Sequence, residues 1–66
     1  MFIADFVEWE LDYFRKSCNF DEEQLEFFNL RSKNMTLDVI AERMNISRGK
    51  ADKLSRKVKD KIIRVL

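Results

Sequence analysis

The 66-residue sequence contains no proline, no histidine, one glycine and one cysteine. Each shortage excludes something. Without proline, and with Gly49 as the only glycine, the chain has little of the material from which long irregular loops are made, so helices joined by short connections are expected. With no histidine and a single cysteine the usual zinc ligand sets are missing, as is the commonest general base, and no metal or cofactor is expected. Cys18 is alone, so it has no partner for an internal disulfide and reads as a small apolar side chain near a helix end. No apolar run reaches the roughly 18 residues that a membrane span needs, so no membrane association is expected. The acidic N-terminal stretch lacks the basic region of a secretory signal, which makes the cytoplasm the expected location. There is no glycine loop to cradle a phosphate and no paired acid set in an evident pocket. Neither enzymatic activity nor a small-molecule ligand is therefore expected.

What is present points to one small folded domain, residues 1 to 66. An apolar fraction of 45% with six phenylalanines argues for a packed core. The expected fold is an all-α bundle of about four helices. A chain of this length hides only about 60% of the surface exposed by its unfolded form, so modest stability is expected. The net charge of +1 conceals a division. Residues 1 to 26 hold eight acids and two bases, −6, whereas residues 27 to 66 hold eleven bases and four acids, +7. Phosphates would repel the first part and attract the second. The acidic part would equally suit a basic protein partner.

Thr36 to Arg56 reads as two short helices joined by a tight turn. Leu37, Ile40, Ala41 and Met44 share one helical face, Thr36 is placed to cap it, and Met35 to pack on Ile40 at the helix entry. Asn45 tolerates the left-handed backbone that a turn requires at this point. Ser47 is the second N-cap candidate, followed by a longer helix whose inner stripe is Ala51, Leu54, Val58, Ile62 and Val65. Small Ala41 and Ala51 would let the two helices approach closely. The outer face carries Arg48, Lys50, Lys53, Arg56, Lys57, Lys59, Lys61 and Arg64 against Asp52 and Asp60, eight bases less two acids, or +6. Such a face is either simply solvated or meets a polyanion; the bases that follow the tight turn stand where a recognition helix enters a groove.

Upstream, residues 1 to 18 read as an acidic, aromatic helix from Phe2 to about Ser17, with Phe2, Ile3, Phe6, Val7, Glu10, Tyr13 and Phe14 at helical spacing. Trp9 and Leu11 widen its apolar face, so Trp9, Leu11 and Tyr13, together with Ile63 and Leu66 at the other end of the chain, are interface candidates. Packing of the first helix across the end of the last is the alternative that needs no partner. Phe20 to Gln24 is a helix start, with Asp21 as N-cap, Gln24 closing a capping box and Phe20 stapled to Leu25. That helix is expected to reach Arg31, burying Leu25 and Phe28 and parts of Phe27 and Leu30. It would brace the helix pair from behind.

Residues 20 to 66 resemble the helix-turn-helix of region 4 of bacterial sigma factors and the small phage and prophage regulators built on it. Phe20-Asp21-Glu22-Glu23-Gln24 and Leu30-Arg31 match the start and end of the family's supporting helix. Thr36-Leu37-Asp38-Val39-Ile40-Ala41-Glu42-Arg43-Met44-Asn45-Ile46-Ser47 matches its T-x-x-E-I-A-x-x-L-x-I-S pattern. The resemblance implies sequence-specific binding of double-stranded DNA by a small transcription regulator or accessory factor. It places Arg48, Gly49, Asp52 and Lys53 at base edges, and Thr36, Ser47, Lys50, Arg56 and Lys57 at phosphates. Either a second copy or RNA polymerase is the implied protein partner. Asp52 puts a negative charge where phosphate is near; it either accepts from a cytosine amine or, as is expected first, forms an i,i+4 pair with Arg56 and takes no part in reading. A protein-interaction module using the Trp9 and Tyr13 face, with little or no DNA reading, is the competing expectation.

Overall fold

The computed structural model describes Ile3 and residues 6 to 66, which form four α-helices: α1 Glu8–Ser17, α2 Glu22–Ser32, α3 Leu37–Met44 and α4 Arg48–Val65. All three shorter helices pack on α4. Its Ala51, Leu54, Val58 and Ile62 are buried, the three- and four-residue spacing holding them on one stripe. Against that stripe lie Phe27 and Phe28 of α2 and Ile40 of α3, all fully buried, with Leu11 and Phe14 of α1 completing the core. Phe14 sits edge-on to Phe6, ring centroids 4.8 Å apart, and to Phe28 at 6.5 Å. Ala41 and Ala51 are both buried, consistent with close packing of α3 on α4. Among the described residues no helix is long and apolar enough to cross a membrane.

Three of the four helix starts follow their sequence signals. Asp21 accepts from the Gln24 N–H at 2.7 Å while the Gln24 side chain accepts from the Asp21 N–H at 3.3 Å, a complete capping box. Thr36 and Ser47 each accept an N–H three residues on, from Val39 at 3.3 Å and Lys50 at 3.1 Å. The first helix departs from expectation. It begins at Glu8, not Phe2; Phe2 itself lies outside the described residues. Val7 is the N-cap, and since it has no polar side chain, the Glu10 carboxylate accepts its N–H at 3.0 Å. The apolar residues before it serve burial outside the α-helix: Ile3, in a 3-10 turn whose carbonyl accepts the Phe6 N–H at 3.1 Å, is buried, and Phe6 is half-buried against the core. The true inner stripe of α1 is Leu11, Phe14 and Cys18, so Val7 and Tyr13 are left exposed. In α2 the burial also shifts, with Phe27 fully buried and Leu25 only partly. The helix ends at Ser32, one residue past the expected Arg31.

Asparagine takes over the turns that glycine would usually make. Asn19, Asn34 and Asn45 all have positive φ, at 51°, 63° and 56°, one in each interhelix connection. Asn45 is the C-cap of α3, and its N–H reaches back to the carbonyls of Ala41 and Glu42. A left-handed conformation costs an ordinary L-residue about 1–2 kcal/mol, which asparagine partly escapes and glycine avoids. Asn45→Ala is expected to lower unfolding free energy by about 1 kcal/mol in urea denaturation, while Asn45→Gly leaves it equal or higher.

Candidate nucleic-acid interface

The solvent face of α4 is built by register. At about 100° per residue, Gly49 and Arg56 lie opposite the buried stripe, with Lys53 and Asp60 beside them. Arg48, Asp52 and Lys59 fall on the flank toward α3, and Lys50, Lys57 and Lys61 on the flank toward α2. Side-chain contacts agree with this division. Arg48 Nη1 donates to Asp38 Oδ1 of α3 at 2.8 Å, and its Nε lies 3.5 Å from Asp52 Oδ1. Lys50 Nζ is 3.0 Å from Glu23 Oε2 of α2.

Two expectations about these charges are corrected. Asp52 pairs backward with Arg48, not forward with Arg56. The two arginines are equally spaced from Asp52 along α4, but only Arg48 lies where Asp38 supplies a second carboxylate. Lys61, counted on the outer face, is half-buried: its ammonium donates to the Asn19 carbonyl at 3.0 Å and to Gln24 Oε1 at 2.5 Å. It ties α4 to the α1–α2 connection and satisfies the buried Gln24. Its four-carbon stem lets the charged end reach the edge of the core.

The remaining bases, Lys53, Arg56, Lys57, Lys59 and Arg64, are exposed and form no ion pair among the described residues. Thr36 and Ser47 are also exposed, each with its oxygen engaged as a helix cap. Gly49 has helical, not left-handed, backbone, and a Cβ there would meet only Ser47 Oγ at 4.0 Å. Nothing among the described residues demands glycine at that position.

The interface candidates divide. Trp9 is 72% exposed, Ile63 53% and Leu66 71%. Tyr13 is half exposed, and its hydroxyl donates to the Val65 carbonyl at 3.4 Å, tying α1 to the end of α4. Leu11 is only 5% exposed and is corrected from an interface residue to a core residue. Its i, i+3, i+7 relation with Phe14 and Cys18 was the available signal. Asp38, Glu23 and Gln24 were missed as partners of the basic helix, because they come from other helices and no spacing within α4 reveals them.

No family model, curated protein or solved structure matches this chain. The attribution to sigma region 4, with the transcription-regulation role and phage or prophage source attached to it, is accordingly withdrawn. Likeness lends no support to DNA binding either, so any case for it must rest on the charge and geometry of the chain itself.

Cys18 lies at the C-terminal end of α1, in an open hollow it shares with Asn19, Lys61 and Arg64. Burial pushes its thiol up from the ordinary value of 9.0, opposed by the nearby Lys61 ammonium. The folded state therefore holds the thiol proton more tightly than the unfolded state. Its contribution to stability is complete below the unfolded value and is lost as pH rises above it. Urea unfolding across pH 8 to 10.5 should show stability falling at the alkaline end, and Cys18→Ala should flatten that part of the slope.

Proposed function

We propose that the protein binds double-stranded DNA in a sequence-specific manner, with α3 and α4 acting as a helix-turn-helix and the first half of α4 entering the major groove. The observation that carries this reading is the exposed row Lys53, Arg56, Lys57, Lys59 and Arg64, which has no ion-pair partners among the described residues. Bases with no acid to satisfy them are the groups that displace counterions from a polyphosphate, the main source of affinity for a duplex. The three-residue connection Asn45-Ile46-Ser47 supports it further, because left-handed Asn45 and capping Ser47 hold α4 at a set angle to α3.

In this reading Arg48 and Lys53 meet base edges, and Arg56 and Lys57 meet phosphates with the hydroxyls of Thr36 and Ser47. Gly49, lacking a side chain on the solvent face, lets the α4 backbone come close to the groove floor. Lys50 joins the phosphate contacts only by leaving Glu23. The exposed acids Glu22, Glu23 and Glu26 on α2 repel phosphate beyond the edge of the basic row.

The test is a titration with pooled random duplex DNA across salt concentrations, followed by sequencing of the retained fraction. One enriched motif and a steep salt dependence are expected. Arg48→Ala should relax preference at one position, whereas Lys57→Ala should weaken all sequences alike and reduce the salt slope by about one. Indistinguishable behaviour of the two variants would reject the assignment.

The exposure of Trp9, at 72%, favours a second reading in which α1 docks a protein, including another copy of this chain. Sedimentation equilibrium should then show self-association that Trp9→Glu abolishes without altering the helical content. A chain that stays monomeric throughout removes the homodimer.

A further inference from the structure

The bridge Asp38–Arg48–Asp52 has little to do with stability. All three side chains are about half exposed or more, and exposed ion pairs of this kind contribute weakly. Its effect on geometry is larger. A free arginine at the start of a helix samples many rotamers, and whatever orders it must overcome that side-chain entropy. Here Nη1 donates to Asp38 at 2.8 Å and Nε lies 3.5 Å from Asp52, so carboxylates from two different helices hold the guanidinium. Nη2 makes no hydrogen bond to a carboxylate among the described residues.

We infer that Asp38 and Asp52 are positioning residues that make Arg48 a selective reader of a guanine edge and deny it to generic phosphate. The inference rests on the DNA-binding reading and deepens it. Two carboxylates beside one guanidinium change the local sum from +1 to −1, so a phosphate arriving there meets net repulsion. A guanine O6 and N7 edge is neutral overall and offers two acceptors, which suits the second N–H of Nη1 together with Nη2, a planar pair already held in orientation. The acids thus penalise the contact that every sequence offers more than the contact that one base offers. They raise discrimination while lowering total affinity, the pattern expected when specificity is built by repulsion of the wrong ligand.

The experiment compares the unmodified protein with Asp38→Asn, Asp52→Asn, Arg48→Ala and the double variant Arg48→Ala/Asp52→Asn. Each is titrated with the enriched duplex, with the same duplex changed at the guanine that Arg48→Ala relaxes, and with a scrambled duplex. Each Asp→Asn change should bind the scrambled duplex more tightly and reduce discrimination at that guanine about fivefold or more. In the double variant Asp52→Asn should add nothing to the loss caused by Arg48→Ala, because both act through one guanidinium. Equal gains on all duplexes, with discrimination at that guanine unchanged, would mean that the acids act only as general repulsion and would overturn the inference while leaving DNA reading intact. Absence of any sequence preference in the unmodified protein would overturn both. Thermal unfolding of each variant separates these outcomes from simple misfolding, since loss of an exposed pair should move the midpoint little.

Discussion

The structure depends on α4 being buried along one stripe by three different helices. Ala51, Leu54, Val58 and Ile62 form that stripe, and no other helix touches all the rest so directly. In a chain of 66 residues the apolar area available for burial is limited, so a single long helix must serve as the shared wall of the core. The consequence reaches the opposite face. Because the stripe is set by three- and four-residue spacing, the angular positions of Gly49, Lys53, Arg56 and Asp60 are set with it. A slip in core packing would rotate the basic face as one body.

Lys61 marks where the two demands on α4 meet. Its position falls between buried stripe and solvent face, and it gives its ammonium to Gln24 and the Asn19 carbonyl, not to solvent. Gln24 in turn closes the cap of α2 with the same oxygen that receives Lys61. Helix initiation in α2, the left-handed turn at Asn19 and the placement of α4 are therefore linked by one polar cluster. Near it Phe20 supplies a ring face, its centroid 5.9 Å from Lys61 Nζ.

Legibility in the sequence followed the range of the interactions. The caps at Asp21, Thr36 and Ser47 and the left-handed Asn45 were readable because each device closes within three or four residues. The inner stripe of α4 was readable because eighteen residues give several turns of a repeating pattern. The start of α1 was not. Ile3 and Phe6 have helical spacing to Phe14, but both pack on the core from outside α1, and apolar spacing alone does not separate those cases. Asn19 and Asn34 carried the same turn chemistry as Asn45, and the absence of proline and near-absence of glycine was the clue to them. At the candidate interface, the roll of basic residues was visible but their state was not. Glu23, Asp38 and Gln24 reach Lys50, Arg48 and Lys61 only through tertiary packing.

The groove-entering start of α4 and the point where α1 joins it lie at opposite ends of that helix, while the basic row between them runs on to Arg64, beside Val65. Arg48 opens α4, whereas α1 joins it near the other end through Tyr13 and Val65. Seventeen residues of helix rise separate those points, roughly 25 Å. Trp9 lies on the outer side of α1, since Leu11, Phe14 and Cys18 occupy the inner one. Occupation of one surface is felt at the other through the packing of α1 against α4, where the Tyr13 hydroxyl donates to the Val65 carbonyl and Lys61 to the Asn19 carbonyl.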